Sequence, residues 1–155
     1  MWLTQIVAIG DGILVGVLLA ALFHEWGHYA GAKASGAVAP RVSPPGLTPF
    51  RYNFKFSAND SRQFHWMTYG GHIGHWGIFL LLTIMLTLDA LGRIALVSGA
   101  FGFNAFATFI EYNVVKDTWA GADPKTRLKA ITSRDFQQAT VVGALSGLFL
   151  FAALS

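Results

Sequence analysis

The sequence predicts an all-α membrane protein, a bundle of four transmembrane helices with a short β-hairpin between helices one and two. Three observations carry that expectation. Of 155 residues, 54% are hydrophobic and 12% charged, with a mean hydropathy of +0.48, whereas an ordinary soluble domain is about 25% charged. The apolar residues gather into four runs, each near the roughly 20 residues that cross a bilayer. The connection after the first run alternates aromatic and polar residues over Phe50-Arg-Tyr-Asn-Phe-Lys-Phe56, the period of a strand with one apolar face. The length is that of a single domain, residues 1–155.

The first run extends from about Leu3 to Lys33, with Asp11 near its outer end. Met1 to Ile6 carries no Lys or Arg, and no small-residue cleavage site follows. The segment therefore reads as a retained helix and not as a signal peptide. In the connection that follows, Pro44-Pro45-Gly46 marks a turn and Val38–Val42 is the partner strand for Phe50–Phe56. The second run extends from about Trp66 to Leu88 and the third from about Ile94 to Val115. The fourth, from about Ala139 to Leu154, follows Thr132-Ser-Arg-Asp135, which has the form of a helix start. Glycines four apart (Gly12/Gly16, Gly27/Gly31, Gly70/Gly74, Gly143/Gly147) suit close helix packing in lipid.

Charge sets the expected orientation. Lys33, Arg41, Arg51, Lys55 and Arg62 flank or lie in the first connection, and Lys116, Lys125, Arg127, Lys129 and Arg134 do the same for the third. Only Arg93, of the 11 basic residues, belongs to the second. The basic loops are expected on the cytosolic side of a multi-pass protein. A net charge of +3 and pI near 9.5 come without a basic helix face or an aromatic platform, which argues against nucleic acid and for anionic membrane lipid as the partner. There is no cysteine, so any metal must be held by His, Asp or Glu.

The segment with the most chemistry is His24-Glu25-Trp26-Gly27-His28. Residues four apart share a helix face, so His24 and His28 can ligate one Zn2+ while Glu25 serves as the catalytic base. A catalytic zinc site takes three protein ligands. Asp11 and Asp89 belong to the opposite end of the bundle, which leaves Asp60, Glu111, Asp117, Asp123, His72 and His75 as candidates. Asn104, Thr108 and Glu111 form a polar stripe on the third helix, and a buried glutamate there needs a partner or a proton. His72 and His75, three apart, share a face. They could bind substrate, stabilise an oxyanion, hold a second metal, or lie in an aromatic interface beside Trp66 and Trp76.

HEWGH at the end of an apolar helix, then a loop, then Gly70-Gly71 opening the next helix, resembles the site-2 protease family of intramembrane zinc metalloproteases. The segment Asn113-Val-Val-Lys-Asp-Thr-Trp-Ala-Gly-Ala-Asp123 is similar to that family's asparagine-to-aspartate stretch, and the resemblance makes Asp123 the third zinc ligand. Pro124 stands where the family has glycine, no proline follows Asn113, and His72 and His75 occupy the place of a Gly-Pro-x-x-Asn pattern. Asp117 and Glu111 therefore stay open as ligands. The implied activity is hydrolysis of peptide bonds in a transmembrane protein substrate, with the Phe50–Phe56 strand pairing to the unwound segment. The alternatives are a lapsed protease that binds membrane clients and a membrane metal or haem carrier built on four histidines.

Overall fold

The computed structural model describes residues 2–42 and 52–155. Those residues form five helices: α1 (Trp2–Ala34), α2 (Ser61–Met85), α3 (Leu91–Trp119), α4 (Pro124–Lys129) and α5 (Ser133–Leu154). Each later start has a local cause. Asp60 caps α2 and Thr132 caps α5, both in reciprocal capping boxes with Gln63 and Asp135. Pro124 follows the Asp123 cap of α4, where its missing N–H costs nothing.

Glycine fixes the crossings. A β-carbon at Gly27, Gly31 or Gly74 would fall on the backbone carbonyl of Gly70, Trp66 or Phe23 respectively, so α1 and α2 touch main chain to main chain, running antiparallel. Gly12, Gly16 and Gly99 do the same for α1 and α3, which run parallel, with Gly12 against Gly92 and Gly16 against Leu96. Gly143 and Gly147 set α5 antiparallel on α3 at Gly102 and Ser98. All four glycine pairs read from the sequence are crossing points. In lipid, where apolar burial drives little, such close approach lets dispersion and polar contacts hold the helices.

Two expectations are corrected. Three helices, not four, are long and apolar enough to cross a membrane: α1, α3 and α5. The second helix has the length, 25 residues, but His65, His72, His75 and a run of glycines dilute its apolar content. The expected β-hairpin is also absent, since the described residues contain no strand. Arg41 and Tyr52 make one isolated antiparallel bridge, flanked by Asn53 N–H donating to the Pro40 carbonyl and Lys55 N–H to that of Val38. No ladder grows from it, because Pro40 has no N–H to give and the Val38 N–H donates to the Asn59 side chain instead. The expected turn at Pro44-Pro45-Gly46, and Phe50 and Arg51 of the expected strand, lie outside the described residues.

Two apolar clusters bracket the middle of the bundle. One joins Ala20, Ile78 and Ala100, with Phe23 and Phe103 against them. The other joins Ala32, Ala39, Phe54, Phe64, Met67 and Val114 and ties the α1–α2 connection under the helix ends. The candidate site lies between them.

Candidate metal centre

HEWGH occupies the seventh turn of α1 and the start of the eighth, with His24 and His28 buried and Glu25 half-buried. Because α1 meets α2 through glycine, the imidazoles reach across the crossing. A β-carbon on Gly71 would strike the His28 ring, so the absence of one leaves that ring its seat. His28 Nδ1–H donates to the Met67 carbonyl at 2.9 Å. The remaining ring nitrogen, Nε2, therefore faces His24 Nε2 at 3.0 Å.

Glu111 closes the group from α3. Its Oε1 is 3.2 Å from His24 Nε2 and 3.2 Å from His28 Nε2. The three atoms form a near-equilateral triangle, the one group of three metal-competent side chains found among the described residues. Donors sharing one tetrahedral ion at roughly 2.0 Å stand about 3.3 Å apart, close to the observed separations. The proton inventory points the same way. With its Nδ1–H spent on Met67, a neutral His28 turns a lone pair toward the Glu111 carboxylate, and lone pairs that converge without a proton need a cation among them. The side chains present fit a divalent ion.

The rest of the α3 polar stripe locks α2 in register. Asn104 Nδ2 donates to the His75 carbonyl at 3.1 Å, and Trp76 Nε1 donates to Thr108 Oγ1 at 3.3 Å. Glu111 Oε2 lies 3.3 Å from His72 Nε2. His75, wholly buried, sets its Nδ1 2.9 Å from His24 Nδ1. His72 and His75 thus stand behind the triangle, and the His75 ring also packs against Trp76, with centroids 5.9 Å apart.

The other carboxylates have different work. Asp123, the expected third ligand, is the exposed N-cap of α4, where its carboxylate accepts from the Thr126 backbone N–H at 2.8 Å and hydroxyl at 2.6 Å. Those bonds hold its pKa below the usual carboxylate range. Asp117 pairs with Arg127 at 2.7 Å, and Asp60 is the α2 cap. None joins the His24–His28 pair. Asn113 is exposed near the end of α3.

The Met67 carbonyl carried no mark in the sequence, whereas Gly71 was marked only as half of a glycine pair and Tyr52 only as part of the expected strand. The Tyr52 hydroxyl is pushed well above its ordinary pKa, first by burial and then by the charges of Glu25 and Glu111. The Tyr52 ring lies 5.7 Å from that of Tyr29, the residue after His28 on α1.

Comparison with protein-family models, curated proteins and solved structures finds no match.

Proposed function

We propose that this chain is an integral-membrane, zinc-dependent metallopeptidase that hydrolyses peptide bonds of membrane-spanning substrates. The observation that carries the reading is the triangle of His24 Nε2, His28 Nε2 and Glu111 Oε1 at 3.0–3.2 Å, with Glu25 between the two histidines on the same helix. The resemblance of HEWGH and its surroundings to the site-2 protease family supports it. Three spanning helices support the membrane setting.

His24, His28 and Glu111 would hold the ion. A divalent ion there supplies Lewis acidity toward a water and a carbonyl oxygen. Glu25 accepts a proton from the attacking water and returns it to the leaving amine. Tyr52 can donate to the substrate carbonyl from the loop side, since its hydroxyl keeps its proton. An apolar groove of about 620 Å³ runs between α1 and α5 over an α3 floor, and Phe103 in its wall places its ring 5.7 Å from that of His24. The groove offers a substrate segment a route from the lipid side to the site. With ten of the 11 basic residues at the end bearing the first and third connections, that end is assigned to the cytosol.

The test is Glu25→Gln, with both zinc content and cleavage of a single-span substrate measured in reconstituted vesicles. One zinc per chain is expected in parent and variant, with cleavage only by the parent. A variant that cuts as fast as the parent removes Glu25 from the chemistry. A parent that holds zinc and cuts no span-containing substrate favours the carrier reading, which the convergence of His24, His28, His72 and His75 supports.

A further inference from the structure

A metal-bound imidazole almost always donates its second ring N–H to a fixed acceptor, which sets its tautomer and orientation. His28 has such an acceptor in the Met67 carbonyl. Among the described residues, His24 has at its Nδ1 the Nδ1 of another histidine, at 2.9 Å, and no carbonyl or carboxylate. Resting on the metal-centre reading above, we infer that His75 is a positioning residue that holds His24 in its metal-facing tautomer by accepting the His24 Nδ1–H on its own Nδ1.

The proton assignment has only two forms. If His24 donates, its Nε2 is a bare lone pair inside the triangle, and His75 carries its proton on Nε2. If His75 donates, the His24 proton moves to Nε2, where Glu111 Oε1 at 3.2 Å and His28 Nε2 at 3.0 Å can accept it, and the site is closed to a cation. His75 therefore decides whether His24 is a ligand.

The surroundings keep the His75 ring in that role. It is 0% exposed. The rings of His24 and His75 stack with centroids 5.0 Å apart and planes 28° from parallel. Phe103 meets the His75 ring edge-on at 6.1 Å, and Asn104 pins the His75 backbone carbonyl. The second ring nitrogen of His75, Nε2, is buried with no hydrogen-bond partner. Packing alone would be served as well by an apolar side chain, which leaves no polar atom unpaired. The polarity of this ring is used at one atom, the one against His24.

The test compares the full-length parent with His75→Leu, which keeps bulk and removes the acceptor, and His75→Asn, whose amide oxygen replaces it near the Nδ1 position. Zn2+ affinity is read by chelator competition, ligand geometry by the visible absorption of the Co2+-loaded protein, and packing by melting of the metal-free protein. His75→Leu should bind Zn2+ roughly 10–100-fold more weakly, with an altered Co2+ spectrum and an unchanged metal-free melt. His75→Asn should stay close to the parent in all three. Unchanged affinity in His75→Leu, or an equal loss in both variants, overturns the inference while leaving the metal centre standing. A parent that binds neither ion overturns both. Should His75→Leu fail to fold, ring 15N shifts of the zinc-loaded parent decide: a proton on His75 Nε2 supports the assignment and one on Nδ1 refutes it.

Discussion

Glu111 and Asp123 are both carboxylates near the C-terminal end of α3, and they have opposite surroundings. Glu111 lies inside the helix, held by packing of α3 against α1 and α2, with three histidine nitrogens 3.2–3.3 Å from its oxygens. Asp123 lies exposed in the chain reversal before α4, where its Oδ2 accepts two bonds from a residue three positions on. A carboxylate with a local donor is already satisfied and exerts no pull on a distant ion. One without a local donor, in a low-dielectric interior, must find positive charge or take up a proton. Burial beside converging histidine nitrogens distinguishes the ligand from the exposed cap.

Replacing Glu111 puts the sharpest strain on that contrast. Glu111→Ala removes one of three ligands, so zinc binding should weaken by more than the roughly 10–100-fold expected for loss of an outer partner. Glu111→Gln, which keeps shape but loses charge, should also bind weakly. Equilibrium dialysis against zinc checks both, and parent-like binding by Glu111→Ala would reverse the roles of the two carboxylates.

A smaller effect tests whether close backbone contact seats His28. In Gly71→Ala the new methyl meets the His28 ring, and overpacking of this kind costs about 1–3 kcal/mol, divided between folding and metal affinity. Gly77 lies in the same helix with nothing within 4 Å of its missing β-carbon. Gly77→Ala should be neutral or stabilise by about 0.5–1 kcal/mol, with zinc binding unchanged. Equal behaviour of the two variants in thermal melts and zinc titration would remove Gly71 from the site.

What the sequence made legible was whatever is encoded within a turn or two of chain. The i,i+4 geometry of His24 and His28, the Thr132–Asp135 capping box and the glycine pairs depend on short-range spacing, and the structure contains each of them. The polar stripe on α3 was legible as a stripe too, but its meaning was not. Glu111 is 83 positions from His28, and nothing local shows that α3 turns that face toward α1. Segment Asn113–Asp123 drew attention because its residue order resembles a family pattern, while the α4 cap there needs only Asp123, Pro124 and Thr126. The hairpin failed for a comparable reason. Alternation over residues 50–56 records a two-sided environment, whereas a ladder also needs a backbone donor where Pro40 stands and a free one where Asn59 has taken the Val38 N–H.

The smallest expected effect is the one that isolates Asp123. Its carboxylate is exposed and, among the described residues, bonded to Thr126 alone, so Asp123→Ala should loosen the first turn of α4 and lower the melting temperature slightly. The sign with pH follows from its depressed folded-state pKa. Stability from this cap is present above the unfolded carboxylate pKa and fades as pH falls through the lower folded value. The parent should therefore lose this increment on acidification, and the variant should have none to lose. Zinc stoichiometry and affinity of Asp123→Ala should equal those of the parent at neutral pH, because α4 carries none of the three donor atoms. A large fall in zinc affinity with an unchanged melt would mean that Asp123 leaves its cap to reach the ion, and that local satisfaction does not exclude a carboxylate from ligation.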